Sequence, residues 1–213
     1  MKKAVICFTR VPRAGLTKTR LMPVLTPQLC AALHWAFLKD LAAVYGDMDA
    51  DLFVAYTQDP HWEELKTVFP MAVQCFPQAG NNLGEKMDHA IRVPLALGYD
   101  RVVLTGADLP AMTAAHLNSG FAGLEQADLA IGPTGDGGYY LIGAKAPCPE
   151  IFAIQGYGGA TVYENTLATA RRAGYTVAAA LPCDDVDTPA DLAALELNPH
   201  SHTWQFLKQE GLL

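Results

Sequence analysis

Apolar residues along this chain fall into short unbroken runs bounded by turn residues, interleaved with longer stretches where they recur every three or four positions. The runs predict strands at Ala4–Phe8, Leu52–Thr57, Ala72–Phe76, Arg101–Thr105, Leu129–Ile131, Tyr139–Ile142 and Thr176–Leu181. Several are apolar throughout, the pattern of parallel strands covered on both faces. The clearest helix spans Pro27–Tyr45: Leu29, Leu33, Phe37, Leu41 and Tyr45 recur every four residues, while Gln28, His34 and Lys39 fall elsewhere. Thr26 followed by Pro27 is a good cap and first-turn pair for it. Further helices are predicted near Leu83–Leu97, Thr113–Glu125, Ala160–Ala173 and Pro189–Leu195, with Pro94 ending or kinking the first of these. Strand and helix in alternation predict an α/β fold, a three-layer α/β/α sandwich around a mostly parallel central sheet. Such sheets collect their ligands at the carboxyl ends of the strands, near a switch in strand order. No linker, repeat or low-complexity stretch divides residues 1–213, so a single domain is expected.

Composition narrows the class. The 213 residues are 51% apolar and 17% charged, which excludes disorder and coiled coil and suffices for a full core without disulfides. No apolar run approaches the roughly 18–20 residues of a membrane span. Met1-Lys2-Lys3 has the charged opening of a signal peptide but only five apolar residues behind it, too few for an export segment. Five scattered cysteines, with no CxxC pair, read as reduced thiols in the cytoplasm and not as a zinc knuckle.

Charge is distributed unevenly. A net charge of -7 argues against a nucleic-acid partner. Yet the first 39 residues hold seven basic side chains (Lys2, Lys3, Arg10, Arg13, Lys18, Arg20 and Lys39) and no acidic one. Four of these crowd between Arg10 and Arg20. An acidic protein with one small cationic loop suits a small anion such as a phosphate ester.

Four segments carry candidate chemistry. Phe8 to Leu21 follows the first strand, and there Gly15 permits close backbone approach while the cations are suited to neutralising a diphosphate. It is neither a Walker A loop nor a dinucleotide GxGxxG turn, and a merely solvated basic loop is the weaker alternative. Val102 to Pro110 runs a buried strand into Asp108, where magnesium favours one or two carboxylates completed by substrate phosphates. A simple turn before Pro110 is the competing use of that Asp. Gly132 to Gly143 is dense in glycine around Asp136, Gly137 and Gly138, which points to close approach by a ligand, although an ordinary hairpin accounts for Asp-Gly-Gly equally well. Cys183 to Leu192 superficially matches the Asp-Val-Asp-Thr nucleophile motif of haloacid-dehalogenase-type phosphatases. That motif belongs after a first strand, so the match is rejected here. Thr188-Pro189 reads as a helix cap, which is compatible with a metal ligand at Asp187.

Other constellations are missing. The histidines at 34, 61, 89, 116, 200 and 202 have no HxxxH or HExxH spacing and are expected on the surface or on helix faces. No GxSxG elbow exists. Tyr139 and Tyr140 read as strand core rather than as a stacking platform.

Taken in order, these segments resemble a bacterial family of small GT-A-like glycosyltransferases, described as radical-SAM-associated or arsenosugar-biosynthesis-type transferases. The residues that carry the resemblance are Phe8 to Pro12, Lys18-Thr19-Arg20-Leu21-Met22-Pro23, Gly80 to Met87, Gly106-Ala107-Asp108-Leu109-Pro110, Gly132 to Gly143, and Asp185 to Leu192. The match covers nearly the whole chain, and its Asp-Gly-Gly-Tyr-Tyr-Leu-Ile-Gly run is specific. More distantly, the chain is similar to guanylyltransferases acting on phospholactate and on molybdopterin, which share the fold and a metal-binding Asp after the central strand. One departure is Gln155 to Thr161, where the family carries a Trp-Gly-Thr-like segment facing the acceptor.

The resemblance implies a GT-A (nucleotide-diphospho-sugar transferase) fold and a cytoplasmic, metal-dependent transferase with a nucleotide-activated donor. The reaction it favours is glycosyl transfer from a nucleoside-diphosphate sugar to a small-molecule acceptor. Arg10, Arg13, Gly15, Lys18 and Arg20 would hold the diphosphate, joined in substrate binding by Asn82, Gly84, Gly137 and Gly138. Lys18 and Arg20 would also act in catalysis. Mg²⁺ or Mn²⁺ would sit on Asp108 and Asp187, with Asp185 as substitute for the second ligand. Asp136 would orient or deprotonate the acceptor. The alternatives are a nucleotidyltransferase that joins a nucleoside triphosphate to a phosphorylated small molecule and releases pyrophosphate, and a non-catalytic nucleotide-binding regulator. Neither nucleic acid nor membrane is expected as a partner, and a homodimer is allowed.

Overall fold

The computed structural model describes residues 1–154 and 156–213, so Gln155 of the departing segment lies outside the described residues. Seven strands, β1 (Lys3–Thr9), β2 (Asp51–Tyr56), β3 (Gln74–Pro77), β4 (Arg101–Thr105), β5 (Leu129–Pro133), β6 (Tyr139–Ala144) and β7 (Val177–Ala179), form one sheet in the order β3-β2-β1-β4-β6-β5-β7. Every neighbouring pair is parallel except the two that involve β6, which runs antiparallel to both β4 and β5. β6 can reverse because only the glycine-rich turn of residues 134–138 separates it from β5, too short for a crossover.

Alternation along the strands divides the core into two layers. Val5 and Cys7 of β1 pack with Leu52, Val54 and Val103 against α1 (Pro27–Gly46) and α4 (Ala114–Gln126). Ala4 and Ile6 turn the other way, with Phe53, Val102 and Leu104, toward α3 (Leu83–Ala96), α5 (Pro149–Phe152) and α6 (Val162–Arg172). Both faces of the sheet are thus covered, which is why β1 and β4 read as unbroken apolar runs. α1 starts as the sequence predicts: Thr26 Oγ1 accepts the Leu29 N–H at 3.2 Å, and Pro27 opens the first turn. Pro94 stands in the last turn of α3, which ends two residues later.

Three short helices, α2 (Leu65–Val68), α7 (Pro189–Ala194) and the C-terminal α8 (His202–Gln209), complete the chain, and α2 and α8 have no counterpart in the periodicity. α8 closes a third apolar cluster, in which Leu21, Leu25, Cys30, Leu33, Phe37, Val186 and Leu207 meet on the outer side of α1. α1 is therefore buried on two sides. Among the described residues, no helix is long and apolar enough to cross a membrane.

The chain runs outward from β1 through β2 to β3, then crosses to the other side of β1 for β4. The carboxyl ends of β1 and β4 lie side by side at this switch, and the loops that follow them carry Arg10 to Arg20 and Asp108.

Candidate active site

Asp108 stands three residues past β4, and its backbone is pinned on two sides. The Gly106 N–H donates to the Tyr140 carbonyl of β6 at 2.9 Å, and the Val186 N–H donates to the Asp108 carbonyl at 2.9 Å. The second bond carries the loop after β7 to the loop after β4 and puts Asp185 and Asp187 beside Asp108. Asp187 is fixed in turn by α7: the Asp191 carboxylate accepts the N–H groups of Asp187 (3.0 Å) and Thr188 (2.7 Å), while Thr188 Oγ1 accepts the Asp191 N–H. The cap and the functional loop are one device.

Between the two carboxylates lies Lys18. Its Nζ is 2.6 Å from Asp108 Oδ1 and 3.0 Å from Asp187 Oδ1, and it donates to the Val186 carbonyl at 2.6 Å. The expected phosphate-binding ammonium is held by protein oxygens, with only 3% of its side chain exposed. On the other flank of Asp108, buried His34 of α1 brings Nδ1 to 3.2 Å from Asp108 Oδ1, without the alignment of a hydrogen bond. Its Nε2 is 3.4 Å from Thr9 Oγ1 at the end of β1. Burial pushes the Asp108 carboxyl up, but Lys18 and His34 outweigh it and hold that group well below the usual carboxylate range. The opposite happens at Asp185, pushed up to about 6 by burial and by the negative charges of Asp187 and Asp136.

Three cavities meet at Asp108. The first, about 370 Å³, opens over the ends of β1 and β2 and is lined by Phe8, Thr9, Arg10, Thr57, Gln78 and Lys86. The second, about 200 Å³, is lined by Arg10, Lys18, Arg20, His34 and Asp187. The third, about 320 Å³, holds Asp136, Asp185 and Asp187, with Arg20 as its one cation and Leu83, Tyr139, Tyr140, Tyr157 and Val162 among its other walls. A mainly cationic and a mainly acidic compartment thus share Asp108, with Asp187 and Arg20 bordering both. Asp136 Oδ1 accepts hydrogen bonds from Thr134 Oγ1 (2.5 Å) and the Gly138 N–H (2.9 Å). Among the described residues no group of three His, Cys, Asp or Glu side chains is arranged to hold a metal, so Asp108 and Asp187 are a pair.

Several expected site residues are placed elsewhere or used otherwise. Arg13 turns away from the cavities and forms ion pairs with Asp59 (3.1 Å) and Glu64 (3.0 Å), so its charge is already neutralised. Asn82 caps α3, with Oδ1 accepting the Glu85 N–H at 2.9 Å. Gly84 is a packing residue: a Cβ there would stand 2.0 Å from the Phe152 carbonyl oxygen. At Gly137, with φ +87°, a Cβ would stand 2.0 Å from the Ala160 carbonyl oxygen, and at Gly138 it would press on Thr134 and Asp136. Gly137 thus admits the protein's own chain, while Gly138 borders the third cavity. Gly15, with φ +81°, faces open space. Arg10 and Arg20 do border the cationic cavity; Arg20 is 72% exposed and 3.6 Å from Asp187.

Two basic side chains in the cavities lay outside the expected set. His34, expected on the surface or a helix face, is 3% exposed; the signal for it was a lone imidazole in the otherwise apolar stretch from Leu29 to Leu38. Lys86 stood only within the Gly80 to Met87 resemblance and faces the largest of the three cavities.

A seven-stranded, mostly parallel sheet between helices, with its cleft at the strand-order switch, is the fold of nucleotide-diphospho-sugar transferase-like proteins. The chain belongs to DUF2064, a family described as uncharacterized proteins conserved in bacteria, whose profile matches residues 40–158. It is 33% identical to a protein from Desulfovibrio desulfuricans G20 whose crystal structure is described as that of a "putative nucleotide-diphospho-sugar transferase"; the match covers 99% of this chain and 96% of that one, with a TM-score of 0.91. It is also similar to a CMP:2-keto-3-deoxy-manno-octonic acid synthetase solved with CTP (11% identity, 99% and 100% coverage, TM-score 0.60). A nucleotidyl transferase from Methanothermobacter thermautotroptrophicus matches at 17% identity, with 98% and 99% coverage and a TM-score of 0.60. At such identities the last two share the fold alone. No curated protein matches the chain.

Proposed function

We propose that this protein is a metal-dependent transferase that moves a glycosyl group from a nucleoside-diphosphate sugar to a small-molecule acceptor. The observation that carries the reading is the convergence of Asp108 and Asp187 on a single cation, within 3.0 Å of Lys18 Nζ, at the strand-order switch between a cationic and an acidic cavity. Two carboxylate oxygens that already share one cation fit Mg²⁺ or Mn²⁺, which takes one or two carboxylates and completes its shell with phosphate oxygens and water. Such an ion would neutralise charge on the departing diphosphate. Arg10 and Arg20 would face that diphosphate, and the cavity over β1 and β2, with Lys86 at its wall, would take the nucleoside. The description of the Desulfovibrio relative agrees with this donor class.

The acidic cavity would take the acceptor. Asp136 and Asp185 have no ion-pair partner among the described residues, and the Asp136 Oδ2 atom accepts no hydrogen bond there. Arg20 is the one cation there against Asp108, Asp136, Asp185 and Asp187. That excess of negative charge suits a hydroxyl or amine better than an acceptor phosphate and so favours glycosyl over nucleotidyl transfer. Asp136, with one oxygen free, would orient or deprotonate the attacking group.

A thermal-shift screen of nucleotide sugars and nucleoside triphosphates, with and without Mn²⁺, tests the donor, because bound ligands stabilise by mass action. The expected result is Mn²⁺-dependent stabilisation by one nucleotide sugar and nucleoside diphosphate as product. Release of pyrophosphate would replace glycosyl with nucleotidyl transfer, and no stabilisation by any nucleotide would overturn both.

A further inference from the structure

We propose that Lys18 is the resident cation of the Asp108–Asp187 pair, and that it yields those carboxylates to a divalent cation and turns to the donor's phosphates. This rests on the metal-dependent reading above. Three oxygens converge on Lys18 Nζ, one from each carboxylate and one from the Val186 carbonyl, and Nζ lies over the face of Phe37, 5.5 Å from the ring centroid. Two carboxylates and a carbonyl are also the hard-oxygen set that Mg²⁺ and Mn²⁺ favour. One set of oxygens at such distances has no room for two cations, and two neighbouring cations repel strongly in a partly desolvated site.

The partners differ in freedom. Asp108 is pinned by the Gly106 and Val186 backbone bonds and flanked by buried His34, and Asp187 is anchored by the cap of α7. Lys18 is the movable member. It ends a four-carbon stem on a loop that turns at Gly15, and its own backbone holds φ 52° and ψ 42°, a left-handed conformation that strains a side-chain-bearing residue. It also lines the cationic cavity with Arg10 and Arg20, so rotation of its side chain alone would keep the ammonium where a diphosphate would sit. Until then the ammonium keeps two like charges from repelling, so that the carboxylate pair is already assembled.

Binding of Mn²⁺ alone, followed by electron paramagnetic resonance, tests the exchange in the natural protein and in Lys18→Met. Removing the competitor should tighten Mn²⁺ binding roughly tenfold or more, an ordinary coupling between two ligands. As Lys18→Met leaves two carboxylates facing each other and a folded variant is not assured, the natural protein supplies a second readout. Acetylation of Lys18 by an amine reagent, read by peptide mass spectrometry, should accelerate several-fold on addition of Mn²⁺. Lys18→Met that binds Mn²⁺ no better than a natural protein that does bind it would overturn the exchange and leave the metal reading standing, as would Lys18 labelling indifferent to saturating Mn²⁺. No Mn²⁺ bound by either protein would overturn both.

Discussion

Replacing Asp108 by Asn removes one charge and almost no volume, so it separates the chemistry of this carboxylate from its role in the turn. Asp108 Oδ1 lies 2.6 Å from Lys18 Nζ, and Asn retains an oxygen able to accept there, while Lys18 keeps Asp187 at 3.0 Å and the Val186 carbonyl at 2.6 Å. The ammonium is therefore not orphaned. A charge-assisted hydrogen bond contributes about 1.5–3 kcal/mol, and with the Asp108 side chain 41% exposed, screening reduces the loss to about 1–2 kcal/mol. For a chain of this size that is a fall in Tm of roughly 3–6 °C. Turnover should suffer far more, because metal-borne neutralisation of a leaving phosphate is worth several kcal/mol, or at least about a thousandfold in rate. Scanning calorimetry and Mn²⁺-dependent turnover with the donor found by thermal shift measure the two effects on the same preparation. A variant that turns over normally would refute the metal-ligand role, since Asn serves almost as well as Asp in a turn. A fall in Tm far beyond this range would show that the charge holds the fold instead.

Arg13→Ala should leave donor affinity within about twofold of the natural value and cost about 1 kcal/mol of stability, because its guanidinium is neutralised by the partly exposed Asp59 and Glu64; isothermal titration with the donor checks this. The hydrogen bond from Arg13 holds the Asp59 carboxyl below its ordinary range, so that stabilisation is complete above about pH 5 and fades as the pH falls through the folded-state value. Arg13→Ala should therefore show a shallower loss of stability below about pH 4, and an unchanged acid limb in urea unfolding would count against the pair. His34→Ala should weaken Mn²⁺ binding by freeing Asp108, and His34→Asn, whose amide nitrogen stands near the place of Nδ1, should recover part of it; equal binding by the two would refute a positioning role. Gly137→Ala places a Cβ 2.0 Å from the Ala160 carbonyl oxygen on backbone at φ +87°, so it should cost about 1–3 kcal/mol or more in denaturant unfolding. Unchanged stability would return that glycine to the ligand.

Local pattern decided the elements of this protein. Apolar runs mark β1 and β4 because both faces of the sheet are covered, and the four-residue recurrence marks α1 because a helix repeats its buried face at that spacing. Asp108 was legible as a carboxylate at a strand end, and Thr188-Pro189 as a cap, since both follow from residues adjacent in sequence. Which charge meets which was not legible. Arg13 and Lys18 stand five residues apart in one cationic loop, yet Arg13 pairs with residues 46 and 51 positions away, while Lys18 reaches a carboxylate 169 positions away. Glycine density is likewise the same whether a ligand or the protein's own chain approaches, and only the fold brings Phe152 against Gly84 and Ala160 against Gly137. His34 lies off the apolar recurrence of α1 and would face solvent on a helix covered from one side. It is buried because the third apolar cluster, closed by α8, covers the outer side of α1 at Cys30, Leu33 and Phe37, and because Thr9 at the end of β1 and Asp108 after β4 stand against its two ring nitrogens. Periodicity records that a helix buries a face; whether the sheet, as at Leu41 and Tyr45, or distant chain, as at Leu33 and Phe37, covers each part of it is chosen only when the tertiary structure forms.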